Sequence, residues 1–310
     1  MRLVTYYVEE DQRAGIVVDD RVVDTLRAAD VIGAGSWVTT VAGVIQQDQV
    51  TRDRLAQAAQ PLAADAPLLA SVRLGPPVPD PSKVICIGLN YASHVDEAKN
   101  VKGAPDEASA VPILFPKFQT SLVGHEADVV IPHGSERMDW EAELAVVIGR
   151  RASQVALEDA LDHVGGYAPF NDVSARDLQL ATPQWTTGKA FDTSGPFGPV
   201  LVTADEVPDP QDLRVIARLN GAVMQDGSTA QMIFPVARLI EFISTYITLE
   251  PGDVIATGTP AGVGVGRKPP VFMQPGDVIE VEVAGLGVLR NTIVSAPSAR
   301  STLGQAAATV

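Results

Sequence analysis

The chain has 310 residues, of which 46% are hydrophobic and 20% charged, ordinary usage for a globular protein and one that excludes a disordered chain. Its 23 Lys and Arg stand against 38 Asp and Glu, a formal net charge of −15, so the surface field repels phosphate backbones and anionic lipid and argues against nucleic-acid or membrane partners. The single cysteine, Cys86, excludes an internal disulfide or a thiolate cluster and leaves any metal site to oxygen and nitrogen ligands. The N-terminus has no long apolar run, and no stretch approaches the roughly 20 apolar residues that span a bilayer, so a cytoplasmic protein is expected.

The length predicts one large unit and a smaller one. Leu3 to Val8 and Gly15 to Val18 are short β-branched runs, and the turn Asp19-Asp20 precedes Val22-Val23, which reads as a hairpin or meander. Residues 41–64 are rich in Ala and Gln with apolar residues at helical spacing, predicting one or two helices. Four prolines between Pro76 and Pro81 can neither continue a helix nor pair in a central strand, and they bound a small α+β unit, residues 1–78. Residues 79–296 read as a β-rich catalytic unit of short apolar strands separated by Gly, Pro and Asp turns. Two Pro-Gly-Asp turns, at 251–253 and 275–277, each launch a strand, while apolar residues at 236, 239, 240, 243 and 247 predict a helix. Residues 297–310 lack a core-forming pattern and are expected to fray. The fold class is therefore α+β and β-rich. Cys86, inside Val84-Ile85-Cys86-Ile87, reads as a small buried hydrophobe.

The most informative chemistry lies in the segment from Asp139 to Gly149. In a strand, Glu141 and Glu143 share a face with Ala145 and Val147, while Trp140, Ala142, Leu144 and Val146 take the other. Both faces read as buried, and two neighbouring buried carboxylates need a cation or a retained proton. Solvated glutamates on an edge strand are the competing reading, but the apolar surroundings favour a metal. Asp172 or Asp177 completes an all-oxygen set for Mg²⁺ or Mn²⁺, although Asp172 also reads as a helix N-cap. His94 and Glu97 share a face at i, i+3 if Asn90 or Ser93 opens a helix, so the carboxylate can orient the imidazole and make it a better base for water. Such pairs are common on solvated helices. Lys189, beside Gly188, and the loop 256–264 are weak signals alone, and the loop has neither nucleotide-binding order nor a Walker lysine.

Taken in order, Lys83 to Tyr91, His94 with Glu97, Asp139 to Gly149, Asn171 to Gln179, Gly188-Lys189, Thr257-Gly258-Thr259-Pro260 and Pro275-Gly276-Asp277 resemble the fumarylacetoacetate hydrolase family over residues 83–294. The resemblance implies a mixed β-sandwich roll, usually a homodimer, with Mg²⁺ or Mn²⁺ at its mouth. It implies Glu141, Glu143 and Asp172 as metal ligands, and His94 with Glu97 on a short helix that orders over the substrate and activates water. Lys189 is then the group that stabilises an oxyanion or enolate, and Arg176, Gln179 and Thr259 hold the keto-acid end of a small 2-oxo acid. The polar stretch from Val101 to Ala110 is expected to be a mobile lid. The leading expectation is a metal-dependent hydrolase of a C–C bond in an acylpyruvate or related 2,4-dioxo acid. Decarboxylation of oxaloacetate-like acids and isomerisation or hydration of hydroxymuconate-type dienes use the same residues, and a non-catalytic 2-oxo acid binder is the alternative from a different class.

Overall fold

The computed structural model describes residues 1–99, 101 and 109–296. Most of the expected lid and the tail 297–310 lie outside the described residues. The fold is mixed α+β and sheet-rich, built on a ten-stranded sheet and a five-stranded sheet.

In the larger sheet the strands run in the order Arg21–Asp24, Asp11–Val18, Arg2–Val8, Leu201–Thr203, Val164–Asn171, Ala142–Ile148, Val254–Ala256, Val84–Gly88 and Ile113–Lys117, with Arg73–Leu74 also on Arg2–Val8. Val254–Ala256 runs parallel to Val84–Gly88, and the other pairings in this sheet are antiparallel. The smaller sheet orders Ala222–Ser228, Arg214–Leu219, Val278–Val283, Gly287–Val294 and Asp128–Val130. Its strands Arg214–Leu219, Val278–Val283 and Gly287–Val294 pack on the two central strands of the larger sheet.

This layering explains the uninterrupted burial of Ala142–Ile148. Trp140, Ala142, Leu144, Val146 and Ile148 face a core shared with Val215, Ile279, Val281 and Leu289 of the second sheet and with Leu239, Ile240 and Ile243 of the helix Val236–Tyr246. Ala145 and Val147 face the opposite core, with Cys86, Ala168 and Ala256, and with Ala28 and Leu55 from the N-terminal helices Thr25–Ile32 and Gln49–Ala59. A strand covered on both sides has no polar face to display, which is why its pattern loses the alternation of a half-exposed strand. Val278–Val283 keeps that alternation, with Ile279, Val281 and Val283 buried and Glu282 reaching Arg218 at 2.7 Å.

Both Pro-Gly-Asp turns launch strands, Val254–Ala256 and Val278–Val283. The N-terminal meander and its helices form as expected, but they do not stand apart from the rest. Arg2 and Leu3 pair with Val202 and Leu201, so residues 1–78 extend the central sheet and cover one of its faces. No helix among the described residues is long and apolar enough to cross a membrane.

Candidate active site

The strand register builds the centre of the site. Ala142 lies opposite Asn171, so Glu141 and Asp172 emerge side by side just beyond the last paired residues. The Asp172 amide donates to the Glu141 carbonyl (3.0 Å), and the Glu141 amide donates to the Asn171 side chain (3.0 Å). Glu143 is two residues along the same face. Glu141, Glu143 and Asp172 each bring a carboxylate oxygen to within 4.8 Å of the other two, and all three are buried. Asp177, the alternative third carboxylate, points elsewhere: it accepts from the Ser135 hydroxyl and the Glu136 amide. Nor does Asp172 cap a helix, because the short helix Arg176–Gln179 starts from Ala175 without a side-chain cap.

Three buried cations surround these acids. Lys189 Nζ lies 2.8 Å from both Glu141 Oε2 and Asp172 Oδ2. Lys117 Nζ meets Asp172 Oδ1 at 2.8 Å from the other side. Arg176 reaches Glu141 Oε1 through Nη1 (2.7 Å) and Asp139 Oδ2 through Nε (2.8 Å), and Nη1 also donates to Gln179 Oε1 (2.9 Å). Among the described residues, Arg176 Nη2 is buried without a hydrogen-bond partner. Lys189 is placed by the turn before it, where a Cβ on Gly188 would stand 2.2 Å from the Gln179 amide nitrogen, so the helix Thr186–Lys189 packs on Arg176–Gln179 only because that Cβ is missing.

The same neighbours split the two glutamates electrostatically. Burial acts to raise the Glu141 carboxyl, but the charges of Lys189 and Arg176 outweigh it and hold it at about 2. Burial also raises Glu143, and the Asp172 and Glu141 charges push it further, well above the carboxylate range. Burial would lower Lys189, yet Asp172 and Glu141 leave its ammonium more firmly protonated than usual.

Glu143 accepts from the Gly258 amide at 2.9 Å. That contact requires glycine: its φ is +95°, and a Cβ would lie 2.7 Å from Asn90 Cβ. With Asp139 included, four carboxylates face three cationic side chains, and Glu143 has the least compensation. Hard oxygen donors with surplus negative charge fit a divalent cation such as Mg²⁺ or Mn²⁺.

One cavity connects this cluster to the helix Ala92–Ala98. Glu141, Arg176, Gln179, Lys189, His94 and Glu97 line it, with Leu89, Phe115, Leu180, Trp185, Val263 and Val265 forming apolar walls. Phe115 and Trp185 meet edge to face, 5.5 Å between centroids. His94 Nδ1 lies 3.2 Å from Glu97 Oε2, and the Gly262 amide donates to the Glu97 carboxylate. Neither Asn90 nor Ser93 caps this helix. Asn90 instead donates to the carbonyls of Phe234 and Thr257, tying those two connections together.

Thr259 does not line the cavity. Its hydroxyl donates to the Ala142 carbonyl and accepts from Gln225 Nε2, both at 2.8 Å, so it supports the strand end behind the glutamates. The residue-by-residue reading also missed Lys117, Asp139 and Trp185. Asp139 had a usable signal, because residues 139, 141 and 143 fall on one face of the unbroken strand that the sequence suggests, although the structure interrupts that strand at residues 140 and 141. Lys117 had a fainter one, sharing a face with Phe115 in Ile113–Lys117.

The family model described as fumarylacetoacetate (FAA) hydrolase C-terminal matches residues 83–294. The chain is 46% identical over 259 residues to the mitochondrial oxaloacetate tautomerase FAHD2A of Homo sapiens, covering 82% of this chain and 80% of that protein. The crystallised fumarylacetoacetate hydrolase from Exiguobacterium antarcticum superposes with a TM-score of 0.77 at 37% identity, covering 96% of this chain and all of that one. The maleylpyruvate hydrolase from Sphingobium sp. SYK-6, solved with manganese(II) and pyruvate, gives 0.75 at 32% identity with the same coverage. A family model that matches residues 83–294, more than half of the chain, and a relative this similar over four fifths of its length establish that the chain belongs to the fumarylacetoacetate hydrolase family.

Proposed function

We propose that this protein is a divalent-cation-dependent enzyme that enolises a small 2-oxo acid, with interconversion of the keto and enol forms of oxaloacetate as its activity. The observation that carries this reading is the gathering of Glu141, Glu143 and Asp172 around Lys189, in one cavity with Arg176 and the His94–Glu97 pair. The similarity to oxaloacetate tautomerases of Homo sapiens and Bos taurus supports the choice of substrate.

The Nη2 of Arg176, which has no partner among the described residues, and the Gln179 amide bind the carboxylate of the 2-oxo acid in the cavity. Lys189 sets a fixed positive charge beside the keto oxygen, where negative charge grows as the enol forms. Glu97 accepts from His94 Nδ1–H, which leaves Nε2 as the base that takes the proton from C3; the imidazolium so formed then gives a proton to the enolate oxygen, which returns His94 to its starting state. A cation held by Glu141, Glu143 and Asp172 supplies Lewis-acid polarisation of the carboxylate and keto oxygens.

A second reading is favoured by the His94–Glu97 pair itself, since an oriented imidazole can equally take a proton from water. It is the C–C hydrolysis of an acylpyruvate, and the similarity to a maleylpyruvate hydrolase supports it. One panel separates the two. With Mg²⁺ or Mn²⁺ present, the ultraviolet absorbance of enol-oxaloacetate is expected to decay faster than its spontaneous rate, and His94→Gln is expected to lower that acceleration about 10²–10⁴-fold. No acceleration, together with ¹⁸O from water in the acid released from acylpyruvates, selects hydrolysis. Tight oxalate binding without turnover of any substrate selects a binding protein. Glu141→Ala and Glu143→Ala are each expected to abolish Mn²⁺ binding in calorimetry, and unchanged affinity removes that residue from the ligand set.

A further inference from the structure

We infer that Asp139 is a positioning residue that locks the carboxylate-binding half of the cavity to its proton-transferring half. Asp139 is fully buried, and four donors converge on it. Oδ2 accepts from Arg176 Nε (2.8 Å) and the Val265 amide (2.9 Å); Oδ1 accepts from the Gly264 amide (2.6 Å) and the Trp140 amide (2.8 Å).

On one side, Arg176 carries this hold to Glu141 and Gln179 through Nη1. On the other, the amides of Gly264 and Val265 belong to the loop whose Gly262 amide grips Glu97, and Glu97 orients His94. Only Val263 separates the two anchored glycines, so the loop has little slack between Asp139 and Glu97. Arg176 and Glu97 are thereby both referenced to one carboxylate, at the end of the short strand Met138–Asp139 and two residues ahead of Glu141.

Because each Asp139 oxygen serves two donors, an amide in its place must turn an N–H toward one of those pairs whichever way it is flipped. Asp139→Asn therefore releases either the Arg176 and Val265 contacts or the Gly264 and Trp140 contacts, and the fold-level packing of an isosteric side chain is kept.

The chain has four histidines, His94, His125, His133 and His163, so ¹⁵N labelling of histidine rings gives a readout for each that needs no turnover. In Asp139→Asn the His94 ring signals are expected to shift while those of the other three stay in place. Oxalate, a bidentate mimic of the 2-oxo acid head, is expected to bind about tenfold more weakly in the presence of Mg²⁺, the loss of one charge-assisted hydrogen bond. Asp139→Glu, which keeps the charge, is expected to recover much of the oxalate affinity. A folded Asp139→Asn protein with unmoved His94 signals or unchanged oxalate affinity overturns the inference. If that variant does not fold, Asp139→Glu is read in its place: it keeps the charge on Arg176, but its added methylene must displace the loop held through the Gly264 and Val265 amides, so unmoved His94 signals there overturn the inference as well. The catalytic meaning of the link rests on the enolisation proposed above. The two fail separately, since absence of turnover with a coupled His94 removes only the reaction, and turnover with an uncoupled His94 removes only the link.

Discussion

Lys117 has no exposed side-chain surface. Its ammonium meets Asp172 Oδ1 at 2.8 Å, the Ser194 carbonyl at 2.8 Å, Ser194 Oγ at 3.0 Å and the Val173 carbonyl at 3.3 Å, and it also donates to the Lys189 carbonyl. One side chain thus fixes a candidate ligand and the backbone that presents Lys189. Replacing it with a methionine fills the space but leaves Asp172 with half of its compensation, so Lys117→Met is expected to cost about 3–5 kcal/mol of unfolding free energy in urea titrations. Asp172→Asn in the same chain should return part of that loss, and a cost below about 1 kcal/mol would mean the pair is dispensable. Apart from the face it shares with Phe115, little in Ile113–Lys117 announces this role, because a lysine closing an apolar run is normally at the surface. Glu141, Glu143 and Lys189 were legible because their local contexts conflict with solvation or join a motif. Thr259 was legible as a site residue only by resemblance, and the structure gives its hydroxyl to the Ala142 carbonyl.

Among elements, those with a clean period were readable. Val236–Tyr246 follows the 3.6-residue pattern, with Val236, Leu239, Ile240 and Ile243 buried, and Val278–Val283 alternates strictly. The helix carrying His94 was readable from its i, i+3 pair, but its start was not, because Asn90 spends its side chain on Phe234 and Thr257 from distant segments. Tertiary partners of that kind leave no local trace. The same junction leaves no room for a side chain at position 258, in the loop after Val254–Ala256. Gly258→Ala combines an unfavourable φ with a Cβ 2.7 Å from Asn90 Cβ, so the amide must withdraw from Glu143. The expected result is a loss of about 1–3 kcal/mol in stability together with weaker Mn²⁺ binding by calorimetry. Full retention of both would show that the loop relaxes elsewhere.

For the molecule as a whole, the Pro-rich segment marked a change in composition and not a break in the structure. The chain passes through it while the sheet continues across it, because Arg2–Val8 pairs with Leu201–Thr203 and the N-terminal helices cover Ala145, Val147 and Ala168. A polypeptide beginning at Pro79 would leave Leu201–Thr203 as an open edge and expose that apolar face. It is expected to melt at a lower temperature than the full chain and to self-associate in sedimentation velocity; identical behaviour would mean that residues 1–78 are an appendage.

The pairings that unite the large sheet also impose an order on its assembly. Arg2 meets Val202 and Val84 meets Val254, neighbours about 200 and 170 residues apart along the chain. Such contacts gain nothing until long loops have closed, so the sheet completes late and folding belongs to the slow, high-contact-order regime. Until Val254–Ala256 arrives, the strand bearing Cys86 has an unpaired edge. The thiol that is inaccessible in the finished protein is therefore open to oxidation while the nascent chain waits for its partner.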